Sequence, residues 1–105
     1  MKTNRFKTFA IACTIVCPLS VGIAHAAVDA HSRNLTASCA ACQGTNGHSV
    51  SGTPVLAGMD KTLFVKQMKD FKSGARSGTV MHHHAKGYSD EEYEKMSEFF
   101  AAQKR

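Results

Sequence analysis

The chain has 105 residues, of which thirteen are lysine or arginine, eight acidic and six histidine, giving a formal charge of +5, a pI near 9.2 and 43% apolar residues. This length admits one small domain, which buries little apolar surface unless a cofactor, metal or partner completes its core. No basic run with interleaved aromatic residues follows position 26, which excludes an ordinary nucleic-acid-binding surface.

The first 26 residues carry Lys2, Arg5 and Lys7, then an apolar run from Phe9 to Ile23, then Ala24, His25 and Ala26. This order of charged, apolar and small residues predicts a secretory signal peptide over 1–26 and a mature domain over 27–105. The apolar run is shorter than a spanning helix needs and is interrupted by Pro18, Ser20 and Gly22, so no membrane span is expected in the mature chain. Export would place the protein in the periplasm. Cys13 and Cys17 would leave with the peptide, which excludes a disulfide-rich scaffold and leaves Cys39 and Cys42 to carry the chemistry. The mature chain would keep ten basic residues against eight acidic ones, a formal charge of only +2.

Residues 28–41 contain no glycine or proline, hold alanines at 30, 37, 40 and 41, and end close to Gly44. They predict a first helix that carries the cysteine pair. In Cys39-Ala40-Ala41-Cys42-Gln43 the two cysteines are spaced as in a C-x-x-C-H haem-attachment motif, where the thiols add to the porphyrin vinyl groups and the following histidine binds iron. Gln43 stands where that histidine would be. An amide oxygen is a far weaker iron ligand than an imidazole nitrogen.

Residues 43–58 are rich in glycine, serine, threonine and asparagine and include Pro54, predicting irregular chain. Asp60 is the expected cap of a second helix from Lys61 to Ser73, with Phe64, Met68 and Phe71 on one face, Lys66, Lys69 and Lys72 on the other, and Gly74 at its end. Residues 73–87 predict a loop containing Met81 and three consecutive histidines, His82, His83 and His84. Ser89 to Glu92 form a capping box for a last helix reaching about Gln103, with Tyr93, Met96, Phe99 and Phe100 as its buried stripe.

A cysteine-bearing first helix, a glycine-rich loop with a proline, a middle helix, a methionine loop and a capped last helix together resemble a class I c-type cytochrome. The stretches at 39–47, 54–60, 71–76 and 85–92 are similar to the cytochrome subunit of flavocytochrome c sulfide dehydrogenase. The resemblance implies a small all-α fold of three main helices around a haem pocket. It implies haem c held by Cys39 and Cys42 through thioethers, Pro54 on the proximal side beside Gln43, and Met81 as distal iron ligand. It further implies an electron carrier rather than a catalyst, partnered by a redox protein such as a sulfur-oxidising flavoprotein.

Three residue-level alternatives stand beside that implication. His82, His83, His84 or His48 could substitute as iron ligand. A haem-free subunit that keeps the fold could have Cys39 and Cys42 as a disulfide, or could hold zinc with them and two of His82, His83 and His84. An iron left open by Gln43 would favour small ligands or peroxide over fast electron transfer. Lys66, Lys69, Lys72, Arg76 and Lys86 form a basic rim suited to an acidic partner.

Overall fold

The structure, a computed structural model, describes residues 28–105, so the expected signal peptide lies outside the described residues. Five helices succeed one another: α1 Ala30–Thr36, α2 Ala40–Gln43, α3 Lys61–Ser73, α4 Met81–Lys86 and α5 Asp90–Ala101. No strand occurs among the described residues, and the all-α expectation holds. Helix α5 packs against both α1 and α3, and α4 lies on α3.

The first helix departs from the expected single segment. Asp29 caps α1, its Oδ1 accepting from the Ser32 amide at 2.8 Å, but the helix tightens into a 3₁₀ turn over Ala37–Cys39 before resuming as α2. Thr36, at the end of α1, donates its hydroxyl back to the Ser32 and Arg33 carbonyls at 3.2 and 3.0 Å. Such back-bonding competes with the regular ladder and bends helices. Cys39 therefore closes the 3₁₀ turn and Cys42 lies on α2.

Helix α3 forms where the sequence predicts it. Asp60 accepts from the Leu63 amide at 3.0 Å, and Gly74 ends the helix in the left-handed conformation (φ 82°). Helix α5 begins with the complete capping box, Ser89 Oγ accepting from the Glu92 amide while Glu92 Oε2 accepts from the Ser89 amide at 2.7 Å. It ends at Ala101, two residues before the expected limit.

The expected methionine loop is instead the helix α4. The His83 and His84 amides both donate to the Val80 carbonyl, at 3.0 and 3.1 Å, so a turn starts as soon as the chain leaves Gly78. Burial of Ala85, with no exposed surface, fixes the helix against its neighbours, and Gly87 stops it. A six-residue helix gains little from propensity and is stabilised by tertiary packing.

Phe64, Val65, Met68, Ala85, Tyr93, Met96, Phe99 and Phe100 make up the core. Phe100 meets Phe64 at 5.4 Å and Phe99 at 5.3 Å between ring centroids, the second pair edge to face. Tyr93 has no exposed surface, and its hydroxyl donates to the Ala85 carbonyl, tying α5 to α4.

Between α2 and α3 the chain is irregular apart from a 3₁₀ turn at Thr45–Gly47. Gly47 anchors it: its carbonyl accepts from the Leu56 and Ala57 amides at 2.9 and 3.2 Å, and the Gly58 amide donates to Phe100 at 2.8 Å. A Cβ at Gly47 would meet the Ala57 nitrogen, Leu56 Cβ and Phe100 Cδ1 at 2.9 Å each, and its φ of +82° already favours glycine.

Candidate haem cleft

Cys39, Cys42 and Gln43 come to one cleft because the 3₁₀ turn and α2 place them there together. The irregular segment opposite is held to α2 by Thr53, whose hydroxyl donates to the Cys42 carbonyl at 2.7 Å, and the adjacent Pro54 lies at the cleft wall. Helix α3 supplies Phe64, Gln67, Met68 and Phe71. Helix α4 supplies Met81 and His84, one turn apart on the same helical face. Tyr88 closes one end, its hydroxyl 2.8 Å from Ser38 Oγ.

The cleft has a volume of about 350 Å³. Its walls are chiefly apolar with a few polar groups, the character of a cofactor pocket. Both cysteines are free thiols, Cys39 half-buried and Cys42 exposed. Burial pushes the Cys39 thiol above its usual range, the largest influence on it, against a smaller opposing hydrogen bond from Ser38. A thiol of that kind holds little thiolate at neutral pH, unlike the activated cysteine of a redox pair.

Gln43 Oε1 is buried and accepts no hydrogen bond. Natural proteins rarely leave such a group orphaned without a ligand or ion to meet it. Two free thiols, apolar walls and a sulfur on α4 together fit a haem.

The sequence-level candidates divide cleanly. Cys39, Cys42, Gln43, Pro54 and Met81 all line this cleft, and so does His84. His48 is exposed in the loop after α2 and does not line it. His82 turns away, its Nδ1 2.8 Å from the Gly78 carbonyl, and His83 packs on the His82 ring at 4.0 Å. Among the described residues no three histidine, cysteine, aspartate or glutamate side chains come together, so the tetrahedral zinc cluster is not assembled. Gln67 lines the cleft without any signal in the sequence, and Leu56 and Tyr88, within stretches that carry the resemblance, have no assigned role there, since only the packing of distant segments brings them to the cleft.

The basic rim is largely neutralised. Lys66 pairs with Asp70 at 2.6 Å, Lys69 with Asp90 at 3.1 Å, and Lys72 donates to the Tyr88 carbonyl at 2.8 Å while standing 3.7 Å from Asp90. Arg76 lies over the Phe71 ring at 4.9 Å and reaches the cleft mouth. Arg76 and Lys86 make no ion pair among the described residues.

No protein-family model matches the chain. Among curated proteins it is similar to the cytochrome subunit of sulfide dehydrogenase of Chlorobaculum tepidum, 44% identical over 66 residues, covering 63% of this chain and 60% of that protein. It is also similar to cytochrome c4 of Pseudomonas aeruginosa, 38% identical over 85 residues, covering 79% of this chain and 42% of that one. The thiosulfate dehydrogenase electron acceptor of Stutzerimonas stutzeri is 46% identical over 56 residues, covering 51% of this chain and 26% of its own length. The chain thus spans less than two thirds of each of these relatives. An all-α fold whose cleft gathers the two cysteines and Met81, together with these relatives, makes the chain a homologue of the class I c-type cytochromes.

Proposed function

We propose that the protein is an exported, haem-carrying electron-transfer subunit, a carrier rather than a catalyst, working beside a dehydrogenase of reduced sulfur compounds. The observation that supports this most is the apolar cleft with Cys39 and Cys42 on one wall and Met81 on the other. The names of the relatives, electron acceptors and cytochrome subunits of dehydrogenases, point the same way.

In this reading Cys39 and Cys42 hold haem c covalently. A bound haem supplies a one-electron iron couple. The chain's own residues do the rest. Pro54, Phe64, Met68 and Phe71 exclude water from the cleft, and the Tyr88–Ser38 contact keeps its end closed. Helix α4 brings donor side chains to the wall facing α2. Arg76 and Lys86, free of ion pairs among the described residues, receive an acidic face of the partner, a flavoprotein in the sulfide-oxidising case.

The reading is tested by redox potentiometry on protein produced in the periplasm of a host that matures c-type cytochromes. A reversible one-electron titration of the visible spectrum, and reduction on mixing with a sulfide-oxidising flavoprotein and sulfide, are expected. A colourless protein that stays redox-inactive would end the proposal.

A further inference from the structure

Gln43 leaves the cleft without a strong ligand on the α2 side, while the helix facing it carries two donors. Met81 opens α4 half-buried, lining the cleft and also packing against the apolar core. His84, three residues on, is an exposed residue at the same wall, and its ring makes no hydrogen bond among the described residues. His82 and His83 are occupied with the Gly78 carbonyl and with each other. His84 is therefore the one imidazole among the described residues that the cleft wall offers.

We propose that His84 is the axial nitrogen ligand this chain provides to haem iron, taking the place on the α4 side that the resemblance gives to Met81. This rests on the haem-carrying reading above. Imidazole is a stronger donor to iron than a thioether or an amide oxygen, and with no histidine at position 43 nothing on the opposite wall competes for that role. Met81 and His84 lie three residues apart on α4 and both line the same wall of the cleft. Gln43, on the α2 side of the cleft, would offer only an amide oxygen there.

The test is electron–nuclear double resonance on the ferric holoprotein with its histidines labelled with nitrogen-15, alongside intact mass of the denatured chain. A strongly coupled histidine nitrogen is expected in the natural protein. It should be lost in His84→Ala and kept in His82→Ala, His83→Ala and Met81→Ala. Added imidazole should restore a coupled nitrogen to His84→Ala, and the double variant Gln43→His with His84→Ala should recover the labelled signal from the opposite wall. Recovery in either case also shows that His84→Ala has kept its fold. A haem mass with the coupling intact in His84→Ala, or with no coupled histidine nitrogen in the natural protein, overturns the assignment alone. Absence of a haem mass in the natural protein overturns both this proposal and the one on which it rests.

Discussion

At the scale of single residues, Gln43 carries a local cost. A buried acceptor without a partner costs about 1–3 kcal/mol, and Oε1 of Gln43 is such an acceptor in the haem-free chain. Gln43→Met keeps the length of the side chain and removes the oxygen. Urea unfolding of the haem-free protein should therefore show it stabilised by about 1 kcal/mol, and a loss of stability would mean the amide is satisfied in solution. Gly47 is the opposite case, a position that no side chain fits. Gly47→Ala forces a Cβ against Ala57, Leu56 and Phe100 from a left-handed backbone. The expected cost is about 1–3 kcal/mol, read by the same unfolding experiment, and a midpoint unchanged from the natural protein would contradict the packing described around it.

At the scale of elements, the caps explain why some helices were legible in the sequence and others were not. Asp60 and Gly74 bracket α3, and Ser89 with Glu92 opens α5, so both helices could be placed from residue type and apolar spacing. Ser89→Ala removes half of the capping box and should lower stability by about 1 kcal/mol. A thermal midpoint within error of the natural protein would show that the cap contributes nothing. Helix α4 escaped prediction because six residues, three of them histidine, show no apolar period, and the glycines at 78 and 87 suggest a loop. Its helical form depends on contacts distant in sequence, with Ala85 buried and the Tyr93 hydroxyl on the Ala85 carbonyl. The break between α1 and α2 was hidden for a similar reason, since an alanine-rich run carries no mark of where Thr36 turns back on the chain. The same division holds in the cleft. Cys39, Cys42, Pro54 and Met81 stand in recognisable local patterns, whereas choosing His84 from three adjacent histidines needs the helical turn that points it to the cleft wall.

At the scale of the whole molecule, the small core and the surface charges set the response to pH and to partners. Asp90 is held below the usual carboxylate range, first by its hydrogen bond to Lys69 and then by the nearby Lys69 and Lys72 charges, against an opposing desolvation. Asp29 is lowered first by the Ser32 amide at the start of α1. A carboxylate whose folded pKa is depressed adds stability above its unfolded pKa, and that stability is lost as pH falls through the folded value. Stability should therefore decline as pH drops below about 4, with the decline shallower in Asp90→Asn and Asp29→Asn. Both side chains are exposed, so the effect is small, and an acid profile identical in both variants would remove them as its cause. Paired lysines on α3 leave Arg76 and Lys86 as the charges of that rim without an ion pair among the described residues. Reversing both to glutamate should slow reduction by an acidic partner and flatten its dependence on ionic strength, and unchanged rates would place docking elsewhere.

The central claim is that a chain with Gln43 in place of the motif histidine still holds haem through Cys39 and Cys42. Intact mass of the denatured protein, recovered from the periplasm of a host that matures c-type cytochromes, tests it most directly. The account predicts a chain carrying one haem that survives denaturation in the natural protein and is absent from Cys39→Ser with Cys42→Ser. A natural chain at its bare polypeptide mass, with haem attached only in Gln43→His, would contradict it.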